Sequence, residues 1–167
     1  TTAATELPGT TSILVTAENG TNTQTYSVAF TVEVLEQIPT EAAPTPIVHA
    51  AEDVISIFSD AYTSLEGTDF NPNWGQSTVV TTEDIAENAT LKYANLNYQG
   101  TEFTAVDASS MEYLHIDIWT ADASEIKVSC INPGPTEKAY SLPITTGTWV
   151  SYDIPLSEFS DVVNLSD

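Results

Sequence analysis

Basic side chains are almost missing from this 167-residue chain: three lysines and no arginine stand against 24 aspartates and glutamates, a formal charge of -21 at pH 7. Such a surface repels phosphate backbones and anionic lipid, which argues against nucleic acid and membrane surfaces as partners. Cysteine is scarcer still. Cys130 is the only one, so neither an internal disulfide nor a cysteine-built metal site is available. It lies in the apolar run 126–131 and reads as a buried structural thiol. No apolar run is long enough to span a bilayer as a helix, so direct membrane insertion is not expected. The two histidines, His49 and His115, lack helical zinc spacing, and no HExxH, GxSxG, phosphate loop or dinucleotide fingerprint occurs. Paired carboxylates can hydrolyse glycosides, but among so many acids chance pairs are unavoidable and carry little weight. The chain is therefore not expected to be an enzyme.

What is present is a β-type pattern. Hydrophobic residues make up 41% of the chain, enough for a core. The segment Glu36-Gln37-Ile38-Pro39-Thr40-Glu41-Ala42-Ala43-Pro44-Thr45-Pro46 has three prolines and no core-forming pattern, and reads as a semi-rigid linker. It divides the chain into residues 1–35, the linker 36–46, and a main domain 47–167. Before the linker, Thr11–Thr16 reads as a strand, Asn19-Gly20 as a hairpin turn, and Thr25–Val34 as an alternating strand. Two strands cannot bury an apolar face alone. Residues 1–35 are thus expected to be the closing strands of a domain whose beginning lies outside the sequence. Val15-Thr16-Ala17-Glu18-Asn19-Gly20-Thr21 followed by a Thr-Tyr-x-Val strand resembles the end of a bacterial cadherin-like or Ig-like β-sandwich spacer.

After the linker, strands are predicted at Asp53–Phe58, Ser77–Thr81, Thr90–Tyr98, Met111–Thr120, Glu125–Ile131, Lys138–Pro143 and Thr148–Ile154. Short strands with turn residues between them, and no convincing helix, mean a sandwich or barrel. Pro155–Phe159 reads as one helical turn started by proline. No strand signal follows, and the last strands of the domain are expected to be missing.

The loop Ser59–Gln76 is the most informative stretch. It holds Tyr62, Phe70 and Trp74 among Asn71, Asn73, Gln76 and two glycines. Aromatic rings on a solvated loop signal recognition or local packing. Sugar rings offer a flat C–H face for stacking, and amides satisfy their hydroxyls. The alternative is that Trp74 or Phe70 simply staples the loop to the domain. Asp60 and Asp69, with Asn71, supply oxygens of the kind calcium prefers, without EF-hand spacing. In the run 111–120, Leu114, Ile116 and Ile118 face one way, and Tyr113, His115, Asp117 and Trp119 the other. The second face is either an open sugar-binding surface or an ordinary solvated one with Trp119 partly covered by a loop. Tyr98 and Gln99, where a strand meets a turn, offer a second wall for a ligand. Val150, Tyr152 and Ile154 are predicted core positions, with Trp149 at the rim or edge.

Several segments in order resemble a carbohydrate-binding module of secreted or surface polysaccharide-utilisation proteins of marine Bacteroidetes. They are Val54-Ile55-Ser56-Ile57-Phe58-Ser59-Asp60-Ala61-Tyr62, Phe70-Asn71-Pro72-Asn73-Trp74-Gly75-Gln76, Asn97-Tyr98-Gln99-Gly100, Leu114–Asp122, Ile131–Pro135 and Trp149–Leu156. In such proteins the module accompanies laminarin-type β-glucan hydrolases or ends a surface glycan-binding protein. The resemblance implies a galactose-binding-like jelly-roll β-sandwich, a structural calcium, and no chemistry of its own. It also implies a final hairpin, with an Asp-Asn dipeptide, that this sequence does not contain.

The expectation is an all-β chain: part of an Ig-like/cadherin-like sandwich, then a jelly-roll sandwich that binds polysaccharide, with β-glucan such as laminarin favoured. The binding residues are Trp74, Tyr62, Asn71, Asn73, Gln76, Tyr98, Gln99 and Trp119; the metal ligands are Asp60 and Asp69. Abundant Thr, Ser and Asn, scarce Lys and the linker suggest an extracellular place, secreted or at the cell surface, beside other domains of a larger protein. The rival reading is a structural or adhesive spacer segment of a large surface protein with no glycan site.

Overall fold

A computed structural model describes residues 9–19, 22–32 and 37–166. The chain divides into two compact units between Gln37 and Ile38. In the first, β1 (Gly9–Asn19) and β2 (Asn22–Val32) form an antiparallel ribbon. Their register runs from Gly9↔Val32 to Asn19↔Asn22, which leaves a two-residue connection of the length a tight hairpin requires. Glu33 and Val34, at the end of the predicted second strand, and the turn residues Gly20 and Thr21 lie outside the described residues.

The second unit contains six strands: β3 (Val79–Ile85), β4 (Asn88–Ala94), β5 (Tyr113–Trp119), β6 (Ile126–Asn132), β7 (Thr136–Leu142) and β8 (Trp149–Pro155). Single 3-10 turns occupy Ala51–Asp53 and Leu156–Glu158, and no α-helix occurs among the described residues. None of their helices is long and apolar enough to cross a membrane. The chain is all-β. Its sheets are small: β3–β4, β5–β8 and β6–β7 are each two-stranded and antiparallel. β5 pairs with β8 rather than with its sequence neighbour, so the β6–β7 hairpin is an excursion between the two strands of one ribbon.

Period-two patterning explains the core. Leu142, Ile154, Leu156, Phe159 and Val163 are buried, and Leu114, Ile116 and Ile118 of β5, Ile126, Val128 and Cys130 of β6, Tyr140 of β7 and Tyr152 of β8 pack against them. The inward faces of the β5–β8 and β6–β7 ribbons therefore share one apolar core. Phe159 is its centre, with 0% of its surface exposed and Tyr140 at 6.4 Å between ring centroids. The turn Leu156–Glu158, entered from Pro155 as the sequence predicts, carries Phe159 inward. None of the five buried core residues comes from β3 or β4.

Three predicted strands change, and the one expected at Ser77–Thr81 runs Val79–Ile85 as β3. Asp53–Phe58 forms no strand: the Ala51–Asp53 turn leads into bends, and Phe58 packs edge-on against Phe70 at 5.4 Å. A run of consecutive apolar residues found a ring partner here instead of a neighbouring strand. The strand predicted to end at Tyr98 stops at Ala94, where Asn95 turns to a φ of 54°, a left-handed value that asparagine tolerates. The β3–β4 turn is built from Ala86 (φ 52°) and Glu87 (φ 66°), both left-handed without glycine or asparagine. It is held by Asp84, whose Oδ1 accepts from the Glu87 N–H at 3.0 Å.

The linker segment from Ile38 belongs to the second unit. The Trp149 indole donates to the Glu41 carbonyl at 2.9 Å and so ties this segment to the start of β8.

Candidate functional site

The loop 69–78 is fastened to the segment 97–102 at both ends. Asp69 and Glu102 exchange backbone hydrogen bonds of 2.7 and 2.8 Å. At the other end Thr78, 7% exposed, donates its hydroxyl to the Tyr98 carbonyl at 2.7 Å, and Asn97 Oδ1 accepts from the Ser77 N–H at 2.8 Å. Between these anchors the chain reverses at Gly75, whose φ of 85° suits glycine.

Trp74 is held from several directions yet remains 41% exposed. Its indole N–H donates to Glu102 Oε1. Its backbone N–H is shared between the Pro72 carbonyl at 3.0 Å and Gln76 Oε1 at 2.9 Å. Its carbonyl accepts from the Tyr98 hydroxyl at 2.8 Å. The six-membered part of the indole fills the space that a side chain at Gly100 would need: a Cβ there would lie 2.1 Å from a ring carbon. Tyr98, 44% exposed, stands beside it. The ring is thus fixed by hydrogen bonds and backbone contact and is still partly open to water.

The amides divide into two roles. Gln76 is occupied inside the loop: Oε1 accepts from Trp74, and Nε2 donates to the Pro72 carbonyl at 2.6 Å and to Asn71 Oδ1 at 3.1 Å. Gln99 likewise donates to the Phe70 carbonyl at 3.0 Å and the Gly100 carbonyl at 2.8 Å. Both amide nitrogens tie the loop, while Gln99 Oε1 is buried without a hydrogen-bond partner. Asn71 and Asn73 are exposed, and among the described residues the Asn73 side chain makes no hydrogen bond. Glu102 and Gly100, which sequence reasoning did not assign to the site, complete it. Gly100 falls in the segment Asn97-Tyr98-Gln99-Gly100 that carries the sequence resemblance, whereas Glu102 lies two residues beyond it.

Two expected members are engaged elsewhere. The Tyr62 hydroxyl accepts from the His49 N–H at 2.8 Å and faces the His49 carbonyl at 3.3 Å. Trp119 is half-buried at the end of β5, opposite Trp149 in register. The structure thus brings Trp74, Tyr98, Asn71, Gln76 and Gln99 together, and gives Tyr62 and Trp119 other surroundings.

The proposed metal ligands also have local duties. Asp60 Oδ2 accepts from Asn88 Nδ2 at 2.8 Å and the Ala89 N–H at 3.1 Å, bracing the β3–β4 turn. Asp69 Oδ1 accepts from the Asn71 N–H at 2.8 Å. Among the described residues no group of three or more His, Cys, Asp or Glu side chains is placed to hold a metal ion. Calcium prefers six to eight oxygens, and these two carboxylates do not form such a set.

The outward face of β5–β8 carries a second polar cluster. His115 Nδ1 lies 2.7 Å from Asp153 Oδ1 and Nε2 lies 3.4 Å from Asp117 Oδ2. Partial burial pulls the His115 pKa down, but the Asp153 hydrogen bond and the charge of Asp117 outweigh it and hold the imidazole above its ordinary value. Ser151 donates its hydroxyl proton to Asp117 rather than to His115, so this cluster contains no serine nucleophile paired with a histidine base. Burial pushes the Cys130 thiol up, away from thiolate chemistry.

Comparison with protein-family models, curated proteins and solved structures gave no match.

Proposed function

We propose that the second unit is a non-catalytic, extracellular carbohydrate-binding module, and that the Trp74 loop is its polysaccharide site. The supporting observation is the exposed indole held by Glu102, Tyr98 and Gln76 over Gly100. Trp74 and Tyr98 stack on sugar rings, and Asn71 and Asn73 hydrogen-bond hydroxyls. Each stacked ring contributes on the order of 1 kcal/mol, by analogy with aromatic pairs. The ligand is a neutral glycan, since a surface of charge -21 repels uronates and sulfates. A β-glucan such as laminarin is favoured by the resemblance in sequence. In this reading the two ribbons around Phe159 are the halves of a galactose-binding-like jelly roll. The β1–β2 ribbon closes an Ig-like or cadherin-like spacer, and further domains of a larger protein flank both. Calcium is left out of the mechanism because Asp60 and Asp69 serve separate turns.

Affinity electrophoresis of the full chain through gels holding laminarin, lichenan, mannan or cellulose derivatives tests the reading. The chain should be retarded by at least one, and Trp74→Ala should lower affinity about fivefold, the equivalent of roughly 1 kcal/mol. Retardation by none of them would favour the spacer reading. Retardation unchanged by Trp74→Ala would remove this loop from the site.

A further inference from the structure

Away from the Trp74 loop, a groove of about 520 Å3 opens where β5 begins and β8 gives way to the Leu156–Glu158 turn. That volume lies within the roughly 300–1,000 Å3 of small-ligand sites. Met111, Glu112, Tyr113, Leu156, Ser157 and Leu165 are among its walls. Met111, Leu156 and Leu165 also belong to the core or pack against it, so part of the wall is apolar and fixed. The backbone around the groove is laced together: Leu156 N–H donates to the Glu112 carbonyl at 2.9 Å, and Ala108 N–H to the Leu165 carbonyl at 2.7 Å. The groove is therefore preformed.

Its rim carries groups that the fold does not use. Tyr113 is 55% exposed. Among the described residues, its hydroxyl, the Glu112 carboxylate and the Ser157 hydroxyl make no hydrogen bond. An exposed ring and apolar side chains, with a hydroxyl, a phenol and a carboxylate among the same walls, match the two chemistries of a pyranose: a C–H face and a belt of hydroxyls. No basic residue lines the groove, so a sulfated or carboxylated sugar would meet Glu112 without a counter-charge.

We propose that this groove is a second glycan subsite, taking one neutral sugar ring against Tyr113, with Glu112 and Ser157 binding its hydroxyls. The inference takes its ligand class from the proposed function and rests on that reading. Two modest subsites on one rigid unit gain apparent affinity for a polymer, because the second contact becomes intramolecular.

The test is a backbone-amide NMR titration of the full chain with the hexaoses of β-1,3-glucan, β-1,4-glucan and β-1,4-mannan, with calorimetry on the matching polymers. At least one hexaose should shift two separate groups of resonances, one around Trp74–Gln76 and one around Tyr113 and Ser157. Tyr113→Ala should erase the second group alone and lower polymer affinity at least threefold. Glu112→Gln, which leaves the ring in place, should weaken the same group. Shifts confined to Trp74–Gln76 would overturn the groove and leave the first site standing. No shift at either place with any hexaose would overturn the glycan reading, and the groove with it.

Discussion

Replacing Gly100 by alanine isolates the feature on which the Trp74 platform depends. Gly100 does not sit in a left-handed conformation, so its backbone accepts alanine without strain. At such a position the change from glycine to alanine usually stabilises by about 0.4–1 kcal/mol, because the unfolded chain loses freedom. Here the added Cβ would lie 2.1 Å from one carbon of the Trp74 ring and 2.5 Å from two others. Forcing an atom into occupied space costs about 1–3 kcal/mol. The clash therefore decides the sign, and the net loss is about 1–2 kcal/mol in a urea titration. A ring that swings outward to escape loses Glu102, so the indole N–H resonance should move and tryptophan emission should shift to the red. Glycan affinity should fall with it, as in Trp74→Ala. An alanine variant as stable as the parent, with the indole resonance unmoved, would refute the placement of the ring over residue 100.

Other expectations follow from single features. Ala86→Asn with Glu87→Gly should stabilise the chain by about 1–2 kcal/mol in chemical denaturation, because left-handed conformation costs ordinary residues about 1–2 kcal/mol apiece and the freedom of glycine in the unfolded chain offsets part of the relief. Phe159→Ala, which empties the centre of the core, should cost about 3–5 kcal/mol by the same measurement; a loss below about 1 kcal/mol would mean that the ring is not central. His115 has a folded pKa above its unfolded one, so its ion pairs with Asp153 and Asp117 stabilise fully below the unfolded pKa and are lost as pH rises through the folded pKa. The parent should accordingly outlast His115→Gln in melts at about pH 5.5 and lose that advantage at about pH 8.5. The difference should stay below about 1 kcal/mol, since the imidazole is 37% exposed. Millimolar calcium or a chelator should leave the melting temperature within about 1 °C; a rise of several degrees with calcium would show linkage to a bound ion.

The sequence pattern and the structure agree where physics is local. Strands β5 and β8 alternate cleanly, and period two correctly sent Leu114, Ile116 and Ile118 to the core and His115 and Asp117 outward. The helical turn after Pro155 was equally legible. Pairing was not: nothing in Tyr113–Trp119 says that its partner lies across an intervening hairpin rather than next in the chain. The strand expected at Asp53–Phe58 failed because apolar residues mark burial without saying what buries them, and Phe58 is matched by Phe70. In the site, Trp74 and Tyr98 stood out as aromatics on loops. Their support did not, since Glu102 lies 28 residues from the indole it holds. The loop-tying role of the glutamines was hidden for a related reason. An amide that binds a sugar and an amide that ties a loop look the same until their partners are known.

That distinction bears on how the site works. A stacking ring gains little if it must first be ordered, because immobilising a large side chain costs about 0.5–1.5 kcal/mol, as much as one sugar contact returns. In this loop the ordering is done on folding: Gln76 and Gln99 tie the backbone, Gly100 gives the indole a seat, and Glu102 fixes its direction. Under the proposed function, the residues that bind sugar are then few, and those that prepare them are more numerous and chemically unlike a ligand site. Glu102→Gln is the sharpest case. It keeps an oxygen for the indole but weakens the charge-assisted bond, so it should loosen the ring and reduce glycan affinity by less than Trp74→Ala does. A loss equal to or larger than that of Trp74→Ala would mean that Glu102 touches the glycan itself, and the division between platform and support would have to be redrawn.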